Sequence, residues 1–407
     1  MHLLPIIATL RRHRTAATLI VLEIALTCAI VCNAVFIIGD RLARMERPSG
    51  IVEDELLRVE ITGIGTDRTD AAAVTAQDLN ALRTIPGVKS TAVANMVPFG
   101  DSSWNEFIST VPDDPSPAFT TGVYTGSQDL LETLGVQLVA GRGFTPDEYV
   151  DFAAARSRKA RVASVIVTRG VAERLFPGKN PLGQTVYLTG HDPTTIVGVI
   201  ERLARQYQAN DPKVAAYAMV LPVTVPYTIA HNYLLRVNPT RRAEVLAAVD
   251  ATLTRVDPSR IILERQTFGD IRAKFFRQDR AMAWLLVGVS LALLIITALG
   301  VIGLASFWVQ QRTRQIGIRR ALGATRGDIL RYFQTENFLL ASAGILLGMA
   351  LAYAINLWLM HAYQVDRLPG TYLPAGAVLL WLLGQVAVLG PALRASLIPP
   401  AVATRTV

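Results

Sequence analysis

Four apolar runs constrain this chain more than any other feature of its sequence, because each is long enough to cross the hydrocarbon core of a bilayer. A membrane-spanning helix needs about 20 predominantly apolar residues. The runs that reach this length are Ala16–Ile38, Ala281–Val309, Phe338–Met360 and Pro374–Leu393. Hydrophobic residues are 51% of the chain and charged residues only 18%. The sequence therefore predicts four transmembrane helices.

The region between the first and second runs has an ordinary soluble composition and is long enough for one or two folded domains. A strand–helix–strand pattern occurs in it twice, at Leu56–Ile61, Thr75–Ile85 and Gly87–Val97 and again at Tyr233–Val237, Arg241–Val256 and Arg260–Arg265. Two β-α-β units that flank an insertion indicate a split ferredoxin-like subdomain. The insertion predicts a second, mixed subdomain, with strands at Ser164–Thr168 and Thr195–Ile200. Neither cysteine lies in this region, so we expect its core to hold it without disulfides.

Positive charges are placed asymmetrically around the apolar runs. Arg11, Arg12 and Arg14 precede the first run, residues 310–337 between the second and third are rich in arginine, and Arg394 and Arg405 follow the fourth. Loops rich in lysine and arginine stay in the cytoplasm. We therefore expect an uncleaved, multi-pass inner-membrane protein with both termini and residues 310–337 in the cytoplasm. Nucleic-acid binding is not expected, because the basic residues lack interleaved aromatics on a soluble face.

The expected organisation follows from these spans and flanks. It comprises a cytoplasmic N-terminus (1–15), a first span (16–40), an extracytoplasmic domain (41–280), a second span (281–309), a cytoplasmic loop (310–337), a third span (338–361), a fourth span (374–395) and a cytoplasmic tail (396–407). Within the domain, residues 53–97 and 231–270 form the split ferredoxin-like subdomain and residues 98–230 the inserted one. The predicted fold class is an α+β membrane protein whose large extracytoplasmic α+β domain lies between transmembrane helices 1 and 2.

The loop at residues 310–337 is patterned as well as basic. Ile316, Ile318 and Leu322 interleave with its arginines, and Gly323-Ala324 is predicted to break a helix. Thr325 then resembles an N-cap, with Asp328 in the acidic position of a capping box. The pattern predicts a short helix at the membrane face, suited to a partner that pushes on the membrane part from inside.

Two polar residues in the first span require an explanation, because ionised and amide groups are costly in lipid. We expect Glu23 to pair with Arg14 or a neighbouring span, or to be protonated at an interface, and we favour structural pairing over a proton or substrate role. Asn33, like Thr27, is expected to form a hydrogen bond across helices.

Small residues in the spans predict close helix packing. Gly344 and Gly348 form a G-x-x-x-G motif in the third span, which favours close approach of a second helix, with a dimer interface as one alternative. Cys28 and Cys32 lie four residues apart in the first span and are interpreted as small apolar packing residues.

Catalytic and metal-binding motifs are not found. In FPGKNPLG (176–183), Lys179 is followed by Asn180 and not by the Ser or Thr that a phosphate-binding loop requires. The five histidines (residues 2, 13, 191, 231 and 361) lack the spacing of a metal site. We expect no enzymatic activity, no metal and no cofactor in this chain.

Several separated motifs resemble those of one family. They are QIGIRRALGATRGDIL (315–330), PALRASLIPPAVATR (391–405), GVQLVAGRGFTPDE (135–148) and VTRGVAERLFPGKNPLGQTVYL (167–188). The chain resembles the MacB/FtsX-like permeases of the type VII ABC transporter superfamily, with a MacB-like periplasmic core domain and an FtsX-like permease domain. It departs from the family at Gln315, where a glutamate is usual, so an acid-to-arginine contact with the ATPase is missing or replaced.

The resemblance implies a function and a set of partners. Such permeases dimerise, with a second copy or a sister permease, and carry the ATP-driven motion of an ATPase through their spans to the porter-like and inserted subdomains outside. ATP and Mg belong to the ATPase, which is expected to be a separate chain because the sequence before Ala16 is too short to contain one. By resemblance the ATPase-coupling residues are Gln315, Gly317, Arg319, Arg320, Leu322, Gly323, Ala324 and Thr325.

The sequence is compatible with three functions of that motion. The first is export of a peptide, antibiotic or other periplasmic substrate with a periplasmic adaptor (membrane fusion) protein. The others are FtsX-like regulation of a cell-wall hydrolase and Lol-like release of lipoproteins.

Overall fold

The computed structural model describes residues 14–63, 70–114, 119–188, 192–206, 213–258, 260–363 and 367–399. It divides into a membrane unit, residues 1–45 and 278–407, and a globular domain, residues 46–277. Some residues used in the sequence interpretation lie outside the described residues, namely His2, Arg11, Arg12, His13, His191, Pro400 and Arg405.

Helices and strands are numbered along the chain. The helices are α1 (Arg14–Met45), α2 (Ala71–Arg83), α3 (Leu130–Leu134), α4 (Phe152–Arg156), α5 (Arg169–Leu175), α6 (Tyr227–Ala230), α7 (Arg242–Val256), α8 (Phe268–Phe275), α9 (Arg277–Gln311), α10 (Thr313–Ala321), α11 (Arg326–Tyr363) and α12 (Tyr372–Ser396). The strands are β1 (Leu56–Gly63), β2 (Val88–Ala94), β3 (Asn105–Ile108), β4 (Phe119–Tyr124), β5 (Leu138–Gly141), β6 (Val150–Asp151), β7 (Ser164–Thr168), β8 (Thr185–Tyr187), β9 (Pro193–Ile200), β10 (Ala218–Val220), β11 (Val223–Thr224), β12 (Asn232–Val237) and β13 (Arg260–Thr267).

Four helices of the described chain, α1, α9, α11 and α12, are long and apolar enough to cross a membrane. The third of them, α11, begins at Arg326, directly after the predicted N-cap Thr325, and so starts well before the apolar run at Phe338. The reason is local, because a capping box starts the helix there and no proline interrupts it before the apolar run. Residues 310–337 are therefore largely helical, with α10 in their first half and the first turns of α11 in their second.

The G-x-x-x-G glycines join α11 to α1 within the chain. A Cβ atom on Gly344 would lie 2.8 Å from the Cβ of Ile24, and one on Gly348 only 2.5 Å from the Cβ of Cys28. Both sites therefore require glycine for this close approach. The close packing expected for this motif is formed with α1 of the same chain, which occupies this face of α11. Cys28 and Cys32 are buried and unpaired by disulfide, as the packing interpretation requires.

The two β-α-β units of the globular domain form one four-stranded sheet. Its order, β13-β1-β12-β2, puts the first strand of each unit in the centre, and every neighbouring pair is antiparallel. Helices α2 and α7 cover it, and the shared core includes Leu57, Val59, Leu82, Tyr233, Leu235, Val249 and Leu253. This is the strand order of a ferredoxin-like fold interrupted between β2 and β12, so the predicted split subdomain is confirmed.

The inserted subdomain has a mixed sheet of its own. Six strands follow the order β3-β4-β10-β7-β9-β5, and β8 pairs with β9. Strands β4 and β10 are parallel, as are β7 and β9, whereas the other pairs are antiparallel. The predicted strand Ser164–Thr168 is β7, and its Val165 and Val167 are fully buried. The α+β prediction for the insertion is therefore confirmed.

Candidate functional site

The start of α10 is attached to α11 by a buried ion pair. Arg312, between α9 and α10, donates hydrogen bonds of 3.1 and 2.8 Å to the two carboxylate oxygens of Glu336 on α11. The side chains are only 7% and 1% exposed, and the Arg312 guanidinium also lies 5.6 Å from the centre of the Trp308 ring. One guanidinium nitrogen thus contacts both oxygens of the carboxylate, and charge-assisted hydrogen bonds of this kind are roughly twice as strong as neutral ones. The sequence interpretation missed this pair, although an acid at the start of an apolar run was a signal for it.

The end of α10 is attached to the fourth span. Arg320 donates to the carbonyl oxygens of Ser396 at 3.0 Å and Ile398 at 2.8 Å, at the C-terminal end of α12. The last carbonyls of a helix lack donors within the helix and favour a positive charge. Arg320, one of the residues expected to couple to the ATPase, thus binds a helix end of its own chain.

One face of α10 is packed into the membrane unit. Ile316 and Gly317 are buried, and Ile316 belongs to a core cluster with Ile329 and Phe333 of α11 and Ala392 of α12. That cluster also includes Val301, Ala305 and Val309 of α9. The helix therefore rests on all three later spans at once.

The opposite face of α10 is exposed, and it is called the α10 face here. It consists of Gln315, Ile318, Arg319 and Leu322, whose spacing places them on one side of a helix. Leu322 is 83% and Ile318 46% exposed. Exposed large apolar side chains outside a span indicate a contact surface when they cluster. The Arg319 guanidinium lies 4.8 Å from the centre of the Tyr332 ring, which holds a positive charge beside the two apolar side chains.

The turn after α10 is closed by hydrogen bonds on both sides. Gly323 has a φ of +98°, and two bonds, Gly323 N to Arg320 O at 3.1 Å and Ala324 N to Arg319 O at 3.0 Å, form a Schellman cap. Thr325 Oγ1 accepts from Asp328 N at 3.2 Å, while Asp328 accepts from Thr325 N at 3.0 Å. The predicted helix break and capping box are both confirmed, and together they fix the angle between α10 and α11.

The polar residues of the first span have two different kinds of surroundings. Asn33 donates to the carbonyl of Ala352 on α11 at 3.1 Å, and Thr27 and Thr297 join their hydroxyls at 2.8 Å, so bonding across helices is confirmed. Glu23 forms no ion pair with any described residue. Its carboxylate instead occupies the space left by Gly300 of α9, where a Cβ would lie 2.6 Å from Oε2. An ion pair of Glu23 is thus absent among the described residues, while its position against α9 agrees with the other alternative, a carboxyl group at a helix interface.

Two other kinds of site are considered in the described part of the chain, a metal centre and a ligand groove. No group of three or more His, Cys, Asp or Glu side chains there could hold a metal ion. The globular domain has a groove of about 280 Å³ between α2 and residues 127–129 and 224–226, bridged by the Arg83–Asp129 ion pair. The most distinctive arrangement is α10, a short helix with one exposed face whose two ends are bonded to the spans.

Comparison with protein families agrees with this architecture. Residues 16–254 match the MacB-like periplasmic core domain, and residues 287–400 match the FtsX-like permease C-terminal domain.

Curated relatives extend the comparison. The macrolide export ATP-binding/permease protein MacB of Chromobacterium violaceum is 27% identical over 242 residues, 56% of this chain and 34% of the relative. The pyoverdine export ATP-binding/permease protein PvdT of Pseudomonas aeruginosa is 26% identical over 368 residues, 85% of this chain and 49% of the relative. The chain thus spans less than half the length of either relative.

Among solved structures, the periplasmic region of MacB from Actinobacillus actinomycetemcomitans aligns with a TM-score of 0.33 at 13% identity. The alignment covers 57% of this chain and 97% of that one. The family assignment depends on the two domain matches, of which the first alone covers more than half of the chain. The chain belongs to the MacB/FtsX-like family of ABC transporter permeases.

Proposed function

We propose that this chain is the membrane subunit of an exporter in which a separate ATPase chain pushes on α10 and the globular domain moves in response. The observation that carries the proposal is the α10 face, an exposed apolar and cationic surface on a helix that is fixed to the spans at both ends. Both relatives described above are named as export proteins with an ATP-binding part, which supports export over the other outcomes.

The anchors of α10 explain how a push would be transmitted. ATP binding by the partner supplies a difference in contact energy between two arrangements, which a packed two-state element converts into movement. The Arg312–Glu336 pair and the Arg320 bonds to α12 prevent α10 from sliding along the spans. Force applied to the α10 face therefore reaches α11 and α12 as displacement of whole helices.

The composition of the α10 face specifies the chemistry of its partner. Gln315 is neutral where the family usually has glutamate, and the exposed arginines nearby, Arg314, Arg319 and Arg326, outnumber the one exposed acid of the turn, Asp328. Ile318 and Leu322 need an apolar pocket. The ATPase surface is accordingly an acidic groove with an apolar floor.

The surrounding assembly follows from the same function. The subunit lies in the inner membrane with both termini and α10 in the cytoplasm and the globular domain in the periplasm. It pairs with a second permease, a copy of itself or a sister chain, and works with a periplasmic adaptor. ATP and Mg are bound by the ATPase, with no cofactor in this chain.

A variant of Leu322 tests the proposal. Leu322→Asp places a carboxylate at the C-terminal end of the α10 face, where an acidic partner surface would repel it and the apolar contact would be lost. We expect co-purification of the ATPase with the permease to fall about tenfold or more, as for a contact residue of an interface core, together with permease-dependent ATPase stimulation.

Gly327→Asp is the matched control, because it adds the same charge to the same loop. A Cβ there meets only Thr325 Oγ1 at 3.8 Å, and the position is in the first turn of α11, where an acid is favourable. Full ATPase binding by Leu322→Asp, in a protein that reaches the membrane normally, would contradict the proposal.

A further inference from the structure

Two chain segments connect the globular domain to the membrane unit. Residues 46–52 follow α1, and α8 with Phe276 precedes α9. Any movement of the first or second span must pass through these two crossings. The contacts that the two crossings make within the globular domain therefore determine whether that domain moves together with the spans or independently of them.

The first crossing is held by the inserted subdomain. The carbonyl of Ser49 accepts from Ala204 N at 2.8 Å, and Val52 N donates to the Leu134 carbonyl at 3.1 Å. Gly50, with a φ of +86°, would bring a Cβ to 2.1 Å from the carbonyl oxygen of Arg202. Only glycine fits such a close backbone approach. The segment is thus a fixed part of the domain and not a flexible linker.

A single side chain of the second crossing binds the first. Arg272 of α8 donates to the carbonyl of Arg47 at 2.7 Å and to Glu53 Oε1 at 2.5 Å. Ser49 Oγ donates to the same Glu53 oxygen at 2.5 Å. One guanidinium thereby joins the residues just after α1 to the helix just before α9.

An aromatic cluster holds that guanidinium in place. Arg272 lies 5.0 Å from the ring centre of Phe99 and 5.8 Å from that of Phe276. Phe99 also contacts the rings of Phe275 and Phe276 at 5.5 and 5.4 Å. Phe99 has a φ of +62° although it is not glycine. Such a conformation persists for a bulky residue only where its surroundings fix it, so the cluster is rigid.

We propose that Arg272 is the positioning residue that makes the two crossings move as one, so that displacement of the spans reaches both subdomains of the globular domain. This inference rests on the proposed function, since it concerns how the motion is transmitted. Because β1 and β13 are paired, the domain would keep its own fold without the Arg272 contacts and would lose the direct link between residues 47–53 and α8.

The test uses the full chain with its co-purified ATPase in lipid nanodiscs and compares hydrogen exchange with and without Mg-ATP and vanadate. Residues 130–136 and 199–206 report on the inserted subdomain, and residues 313–329 report on α10. In Arg272→Gln we expect the nucleotide-dependent change in the inserted subdomain to fall about fivefold or more. The change at residues 313–329 should stay at the wild-type level, because α10 does not depend on Arg272.

A reversible crosslink separates transmission from folding. In the Glu53→Cys/Arg272→Cys protein, bridging the two thiols with a short bis-methanethiosulfonate should restore the response, and reduction should abolish it again. The native cysteines are buried and leave a low background. Arg265→Gln is the matched control, since it breaks the Arg265–Asp250 ion pair between β13 and α7. It leaves the contacts of both crossings unchanged.

The outcomes distinguish the two proposals. A wild-type response of the inserted subdomain in Arg272→Gln, whether or not its melting temperature falls, would overturn the role of Arg272 and leave the proposed function intact. An equal loss in Arg265→Gln would also overturn it. If the wild-type complex showed no nucleotide-dependent change in hydrogen exchange at residues 313–329, both the proposed function and this inference would be contradicted.

Discussion

At the scale of residues, arginines attach the elements of this chain to one another. Arg312 joins the start of α10 to α11, Arg320 joins its end to α12, and Arg272 joins the two crossings of the globular domain. Arg272 uses two guanidinium nitrogens for its two acceptors, whereas Arg312 and Arg320 each contact two acceptor oxygens through one nitrogen. From sequence alone, the arginines of residues 310–337 are expected to be topology signals or partner contacts, because their acceptors are distant in sequence.

The Arg312–Glu336 pair gives a direct prediction for stability. Glu336→Ala leaves a buried guanidinium without its carboxylate, and breaking one side of a buried pair costs about 3–5 kcal/mol. We expect a clear fall in the melting temperature of the purified protein. The double variant Arg312→Met/Glu336→Leu removes both charges and should recover most of the loss. A double variant as unstable as Glu336→Ala would show that the pair is not the cause.

Residues 141–148, GRGFTPDE, contain another arginine–glutamate pair. This pair predicts that the stability of the protein depends on pH. Arg142 donates to both oxygens of Glu148 at 2.7 and 2.9 Å, and Thr145 N donates to the same carboxylate at 2.7 Å. The Arg142 hydrogen bonds lower the pKa of Glu148 from 4.5 to about 2.

A carboxylate whose pKa is lowered by folding stabilises the protein above its unfolded pKa. That contribution is lost as the pH falls from about 4.5 towards 2. Glu148→Gln should therefore lower the melting temperature at neutral pH and flatten its dependence on pH in the acid range. An unchanged acid limb in Glu148→Gln would contradict this assignment.

At the scale of elements, local signals in the sequence were enough to predict most of the fold. A short apolar run predicted β7 at Ser164–Thr168, and the Thr325–Asp328 box and Gly323 predicted where helices begin and end. These signals act within a few residues of each other. The packing partners could not be predicted in the same way, because whether the α11 glycines meet a second subunit or α1 depends on tertiary contacts across the membrane unit.

Glycines of the spans offer a matched pair of substitutions. Gly348→Ala would put a methyl group 2.5 Å from the Cβ of Cys28, whereas a Cβ on Gly288 of α9 has no heavy atom within 4 Å. Forcing an extra methyl into a packed contact costs about 1–3 kcal/mol. We expect Gly348→Ala to melt at a lower temperature in detergent and Gly288→Ala to melt like the wild type. Equal stability of the two variants would refute the α1–α11 contact.

At the scale of the whole molecule, the chain is a membrane unit and a globular domain joined by two crossings. Hydropathy predicted this division, because a long soluble region cannot lie within a bilayer. The exposed α10 face could not be identified from sequence alone, since Ile316 and Ile318 are the same residue type and only packing shows that the first is buried. The function proposed for the α10 face also requires a particular orientation of the spans.

Cysteine accessibility tests that orientation. Asp113 of the globular domain and Arg326 beside the α10 face are both exposed, whereas Cys28 and Cys32 are buried, so the wild-type protein serves as a blank. Because loops rich in arginine stay in the cytoplasm, an impermeant thiol reagent should label Asp113→Cys in cells whose outer membrane has been permeabilised. Arg326→Cys should be labelled only after the inner membrane is disrupted, which also shows that its thiol is reactive. The reverse pattern would place α10 outside the cell, where no ATPase with access to ATP could reach it, and would refute the proposed coupling.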